Sequence, residues 1–126
     1  MIARWTDASH QFVSSSPSSV DEVRALIAEV RALPEPTMLF LERDGKLLAV
    51  GLGGALSPVT WMEPGGATFH TVGDLSRIGC IQLWSQTQLD DFFAELAIPE
   101  AAAIAAAIFF ASTGERPPDL HWEADW

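Results

Sequence analysis

An alanine-rich run at residues 101–111 constrains the fold most, because helix signals bound it on both sides. Upstream, Pro99 suits the first turn of a helix, where its missing N–H would have no partner anyway, and Glu100 places negative charge at the positive end of the helix dipole. Downstream, Gly114 supplies the left-handed residue that ends many helices, and Pro117 prevents the helix from resuming. The pattern predicts a helix whose small side chains allow it to lie close against a sheet.

A second helix is predicted nearer the N-terminus. Ser19 and Glu22 have the spacing of a capping box, in which each side chain satisfies the other residue's free backbone N–H. Apolar residues then recur at helical spacing, and they are Val20, Val23, Leu26, Ile27, Val30 and Leu33. We therefore expect an amphipathic helix over residues 20–33 that Pro34 ends.

Between the two predicted helices the apolar residues recur at every second position, which is typical of strands. Residues 38–42 and 46–52 flank Asp44-Gly45, a pair that readily adopts the positive φ angles of a tight hairpin turn. A second hairpin is expected over residues 59–72, with its turn at Pro64-Gly65-Gly66.

Three further segments have weaker or ambiguous strand patterns. Residues 79–84 predict another strand. Residues 89–96 are ambiguous, because they contain two adjacent phenylalanines that cannot share one face of a strand. The first strand of the chain is either residues 2–6 or residues 10–14, and the pattern leaves both open.

The order of these elements indicates the fold class. A strand, a helix, several antiparallel strands and a second helix are typical of an α+β domain. We expect an antiparallel meander sheet with two helices packed on one face and solvent on the other. The 126 residues suit one domain spanning residues 1–126, since no repeat or linker divides them.

Charge and composition restrict the partners. The formal net charge is −10, and residues 82–126 hold eight acidic residues against Arg116 alone. Such acidity repels nucleic acid and favours basic partners, although it also serves solubility alone. One cysteine allows no intrachain disulfide, the N-terminus lacks a secretory signal pattern, and the longest apolar run is too short for a bilayer. We expect a soluble, cytoplasmic protein with no membrane contact and no direct nucleic-acid contact.

The C-terminal region also carries a longer ordered pattern. It combines a Pro-headed helix that contains alanines and a late aromatic residue with a following Thr-Gly-x-Arg-Pro, an apolar residue and a tryptophan. The matching residues are Pro99, Ala103, Ala106, Phe110, Thr113-Gly114, Arg116-Pro117, Leu120 and Trp122, preceded in order by Gly51-Leu52-Gly53-Gly54 and Val72-Gly73-Asp74. This string resembles immunity family one of bacterial polymorphic toxin systems.

The resemblance implies a function. It suggests a small cytoplasmic immunity protein that binds and neutralises the C-terminal domain of a cognate secreted toxin. The toxin is expected to be a deaminase or another nucleic-acid-directed enzyme. The resemblance implies stoichiometric inhibition, either by plugging the toxin's active site or by holding an adjacent surface, with no catalysis and no cofactor.

Candidate toxin-binding residues follow from charge and from aromatic content. A toxin that acts on nucleic acid needs a basic substrate cleft, so its inhibitor should offer carboxylates around an apolar centre. Tryptophan is also enriched among the anchors of protein interfaces. The candidates are Trp61, Glu63, Asp74, Trp84, Asp90, Asp91 and Glu95. The two tryptophans either share the uncovered face of the sheet or lie in the core, as large apolar side chains usually do.

Two alternatives to an immunity protein remain at this stage. One is a small cysteine-dependent hydrolase or transferase in which His70 and Asp74 activate Cys80, although the apolar neighbours of this cysteine predict a buried, inert thiol. The other is a module that self-associates through its apolar second helix. The three histidines lack the spacing of paired metal ligands, so no metal site is expected.

Overall fold

Two helices lie on one face of a mostly antiparallel sheet in the computed structural model, which describes residues 1–125. This confirms the predicted α+β class. The helices are α1 (Val20–Arg31) and α2 (Glu100–Thr113), with a short 3-10 turn at Ala94–Leu96. The strands are β1 (Ile2–Thr6), β2 (Phe12–Ser15), β3 (Thr37–Arg43), β4 (Lys46–Leu52), β5 (Leu56–Ser57), β6 (Val59–Met62), β7 (Thr68–Thr71), β8 (Cys80–Ser85), β9 (Gln88–Phe93), β10 (Ile98–Pro99) and β11 (Trp122–Ala124).

The main sheet has the strand order β11-β7-β6-β4-β3-β1-β2, and each of these neighbouring pairs is antiparallel. Both segments proposed for the first strand are strands, and they form the hairpin β1–β2 at one edge. The hairpin β8–β9 joins the sheet through a parallel bridge between Thr37 and Trp84. Strands β5 and β10 form a separate pair.

The first helix begins as its capping signal predicts. The Ser19 hydroxyl accepts a hydrogen bond from the Glu22 amide at 3.1 Å. The Glu22 carboxylate, however, accepts from the amide and the hydroxyl of Ser18, one residue earlier than a regular capping box requires. Residue Ala32 caps the C-terminal end, so the helix is two residues shorter than predicted.

The predicted hairpin turns are confirmed. Asp44 and Gly45 have φ angles of 54° and 77°, which suit the two-residue turn between β3 and β4. The second turn, between β6 and β7, is closed by a hydrogen bond from the Glu63 amide to the Ala67 carbonyl oxygen at 2.8 Å. Local turn chemistry therefore determines the register of both hairpins.

The main core lies between the sheet and the helices. Every second residue of the central strands faces α1 and α2, and those that are fully buried include Leu39, Leu41, Leu48 and Val50. In α2 the buried side chains are Ala103, Ala106, Ala107 and Phe110. The methyl side chains allow α2 to pack directly on β4, as predicted from the alanine-rich run.

The opposite face of the sheet is partly covered, which corrects the expectation that solvent would cover it. The hairpin β8–β9 packs on this face and forms a second, smaller core of Met38, Ala49 and Leu83. Gly51 shows how close this packing is, because a Cβ at that position would lie 2.6 Å from the Leu83 side chain. The period-two pattern predicted the strand β8 but did not indicate that it folds beneath the sheet.

The end of α2 is held by the β3–β4 hairpin. Gly114 adopts the left-handed conformation with a φ angle of 73°, as predicted. The Arg43 guanidinium donates to the Ala111 carbonyl oxygen at 2.8 Å, and the Lys46 ammonium lies 3.3 Å from the Gly114 carbonyl oxygen. These two cations complement the negative end of a helix whose last turn has no basic residue of its own.

The residues after α2 attach the last strand to the edge of the sheet. The Trp122 indole N–H donates to the Pro117 carbonyl oxygen at 2.9 Å. The Arg116 guanidinium lies over the rings of Phe69 and Trp122, at 4.8 Å and 5.8 Å from their centroids. The string that carries the family resemblance is therefore largely scaffold: it ends one helix and positions β11.

Candidate functional site

The three residues of the cysteine alternative lie on two strands and the loop between them. Cys80 is exposed at the start of β8, so the expectation of a buried thiol was wrong. The His70 imidazole lies on β7, where its Nδ1 contacts the Asp125 carboxylate and its Nε2 is 3.9 Å from a Glu123 oxygen. Within residues 1–125, no hydrogen bond joins Cys80 to His70 or Asp74. The geometry does not assemble a nucleophile with its base.

Among the described residues, no group of three or more His, Cys, Asp or Glu side chains is arranged to hold a metal ion. The two carboxylates beside His70 contact different nitrogens of its ring, so they do not converge on one point.

The two candidate tryptophans lie in different environments. Trp61 is 1% exposed and packs edge-to-face on Phe110 of α2, with ring centroids 5.3 Å apart. Trp61 therefore lies in the core, as one of the two readings predicted. It does not lie on the uncovered face of the sheet. Trp84 lies on the β8–β9 hairpin, half-buried, where its ring stacks on His10 and its N–H donates to Glu35 at 2.9 Å.

Four of the five candidate acids lie together, on β9 or beside it. Asp90 and Asp91 are adjacent strand residues and so point to opposite faces: Asp91 is exposed, and Asp90 is half-buried and accepts from Gln88. Glu95 follows in the 3-10 turn, and its carbonyl oxygen accepts from the Gly73 amide, which brings Asp74 beside it. Glu63 is separate.

The separation of Glu63 follows from the direction of the strands. It lies in the β6–β7 turn, next to the β3–β4 turn, where a Cβ on Gly45 would be 3.7 Å from Pro64. Asp74 follows the opposite end of β7. The structure therefore does not bring Glu63 together with the other carboxylates.

Exposed apolar side chains accompany these acids, and sequence reasoning missed them. Leu89 and Phe93, 47% and 62% exposed, alternate with Asp91 on the outer face of β9. Leu75 and Ile78, 70% and 94% exposed, lie on the loop 72–79. The alternation of apolar and acidic residues along β9 was the one available signal. We call the outer face of β8 and β9, together with loop 72–79 and Glu95, the hairpin surface.

The loop 72–79 is fixed at several points. Gly73 donates to the Glu95 carbonyl oxygen at 2.9 Å, and the Arg77 guanidinium donates to the Ala97 carbonyl oxygen at 2.6 Å. The Asp74 carboxylate accepts from the hydroxyl and the amide of Ser76 at 2.6 Å and 2.9 Å. These donors hold the pKa of Asp74 below its usual value, the Ser76 hydroxyl contributing most.

The charge of the hairpin surface is negative. Residues 73–95 contain four carboxylates and one cation, Arg77, which is bound to a backbone carbonyl oxygen. The surface therefore combines an apolar centre with an acidic rim, the composition that favours a basic protein partner.

A second apolar surface lies on the helix layer. Phe109 of α2 is 37% exposed, and it lines an open groove of about 390 Å³ together with Pro117, Pro118 and Leu120. Among residues 1–125, Asp119 is the charged residue that lines it. This groove stays the candidate for self-association.

Comparison with known proteins identifies the family of this chain. The sequence model of the family described as Immunity protein Imm1 matches residues 16–124, from the approach to α1 through β11. No curated protein matches the chain. Neither helix within residues 1–125 is long and apolar enough to span a bilayer. Because the family match covers most of the sequence, the chain belongs to the Imm1 family of immunity proteins.

Proposed function

We propose that this immunity protein neutralises a nucleic-acid-directed toxin domain, such as a deaminase, by forming a stoichiometric complex in the cytoplasm of the producing cell. Membership of the family implies a cognate toxin as partner. The observation that carries the proposal is the hairpin surface, where exposed apolar residues lie inside a rim of carboxylates. A toxin cleft that binds phosphates is basic, so this surface complements it.

The two components of the surface have different roles. The carboxylates of Asp74, Asp91 and Glu95 attract a basic partner over distances of several ångströms, which raises the association rate. The apolar side chains of Leu89 and Phe93 lose contact with water in the complex, which lowers the dissociation rate. Complex formation should therefore slow as salt is raised, while the lifetime of the complex changes little.

The candidate residues divide accordingly. Asp74, Asp91 and Glu95 are proposed to face the toxin. Asp90 supports the hairpin from its inner side, and Trp84 supports it at its far end. The buried Trp61 and the distant Glu63 are left out of the contact. No observation favours the hydrolase alternative, because Cys80 and His70 lie on separate elements, so the proposal assigns no catalysis to this chain.

Co-expression with the toxin encoded beside this gene tests the proposal. We expect the chain to restore growth and to co-purify with the toxin domain in a 1:1 complex. The matched control is Ser16→Ala, which should protect as well as the wild type because Ser16 is an exposed residue outside the hairpin surface. Continued killing by the neighbouring toxin despite good expression of the chain, with two separate peaks in gel filtration, would overturn it.

A further inference from the structure

We infer that loop 72–79 enters the concave substrate cleft of the toxin, so that the immunity protein and the nucleic acid exclude each other. This inference rests on the proposed function. It chooses between the two modes of inhibition, plugging the active site and binding an adjacent surface.

The shape of the loop is the first reason. Ile78 is 94% exposed and Leu75 is 70% exposed, so almost no other atoms of this protein surround their side chains. Two apolar side chains that project so far are convex, and a convex apolar group loses most water when it enters a concavity. A flat neighbouring surface would leave much of both side chains in water.

The rigidity of the loop is the second reason. Hydrogen bonds from Gly73 to Glu95 and from Arg77 to Ala97 tie the loop to the segment that follows β9, and the Ala94 amide donates to the Gly79 carbonyl oxygen at 3.0 Å. A loop that is already ordered loses little conformational entropy when it inserts, which strengthens binding.

The charge at the base of the loop is the third reason. The two Ser76 hydrogen bonds hold the Asp74 carboxylate in place, and Glu95 lies beside it through the Gly73 contact. When the loop is inserted, these carboxylates lie at the mouth of the cleft. There they meet the cations that otherwise bind the phosphates of the substrate.

Steady-state inhibition of the neighbouring toxin, acting on a single-stranded oligonucleotide substrate, tests the inference. We expect competitive inhibition, in which the apparent inhibition constant rises linearly with substrate concentration. Ile78→Ser and Leu75→Ser should each raise the inhibition constant by about 30-fold, the size of an interface hot spot. Their thermal unfolding midpoints should equal that of the wild type, because both side chains are exposed in the free protein.

Phe109→Ser is the matched control, since Phe109 is an exposed apolar residue on the other side of the sheet. It should inhibit like the wild type. An inhibition constant that does not change with substrate concentration would overturn the inference, as would loop variants that inhibit normally. In both cases the wild type still inhibits, so the proposed function survives. A wild-type chain that does not bind the toxin contradicts the proposed function itself.

Discussion

The backbone of Gly73 lies so close to the Ala97 carbonyl oxygen that a Cβ at position 73 would overlap this atom. The same oxygen accepts a hydrogen bond from the Arg77 guanidinium, and the Gly73 amide donates to Glu95. The start and the middle of loop 72–79 are therefore both fixed to the short segment that precedes β10. This contact is possible only because residue 73 has no side chain.

Gly73→Ala should accordingly displace the loop. The alanine methyl group must push Ala97 away, and overpacking of this kind costs about 1–3 kcal/mol of the free energy of unfolding. We expect a matching fall in thermal stability and a weaker complex with the toxin. Gly54→Ala is the control, because the nearest atom to a Cβ there is 3.8 Å away. Equal stability of the two variants would contradict the contact.

Trp61 should contribute to stability and not to binding. Replacing it by alanine removes the contact with Phe110 and leaves a cavity, which should lower the free energy of unfolding by about 3–5 kcal/mol. Within residues 1–125 its indole N–H has no hydrogen-bond partner, so Trp61→Phe should cost clearly less. Urea unfolding measures both variants. Phe109→Ala removes a partly exposed side chain and should cost clearly less than Trp61→Ala. An equal cost for the two variants would argue against the burial of Trp61.

Gly114 tests the scaffold role of the string that carries the family resemblance. Gly114→Ala places a side chain at a φ angle of 73° and 3.3 Å from the Arg43 guanidinium. The left-handed backbone alone should cost about 1 kcal/mol, and the displaced Arg43 adds to this. Gly66→Ala separates the two effects, because Gly66 also has a positive φ angle but no atom lies within 4 Å of its Cβ position. The account fails if Gly66→Ala is the more damaging change in thermal unfolding.

The stability of loop 72–79 at low pH should depend on Asp74. Its pKa is lowered in the folded protein, so the stability that it contributes is present above its ordinary pKa, about 3.9. That stability is lost as the pH falls through the lower folded value. Ser76→Ala removes the largest cause and should raise the pKa of Asp74, as measured by NMR titration of the carboxyl carbon. Ser16→Ala, in an exposed segment far along the chain, should leave it unchanged. The same Asp74 pKa in all three proteins would contradict the hydrogen bonds.

Local signals predicted a large part of the fold. Ser19 begins α1, Asp44-Gly45 forms a tight turn and Gly114 ends α2, because each depends on the backbone preferences of a few neighbouring residues. The pattern of residues 79–84 also predicted the strand β8. These features need no knowledge of distant contacts.

Burial was harder to predict, because it depends on what packs against each face. The pattern left open whether Trp61 lies in the core or on the uncovered face, because this depends on which face the helices cover, and they cover the Trp61 side. The prediction of burial for Cys80 was wrong. Its apolar neighbours suggested burial, but it begins a hairpin that folds beneath the sheet and faces away from it. The exposure of Leu75 and Ile78 depends on the same long-range placement.

Hydrogen–deuterium exchange of the free and the toxin-bound chain tests the central claim most directly, since it maps the contact without altering a residue. We predict a 1:1 complex in which exchange slows in loop 72–79 and in β8 and β9, while the exchange of α2 is unchanged. Protection centred on α2 and residues 117–120 with none on the hairpin surface, or no complex with the neighbouring toxin, would contradict the account.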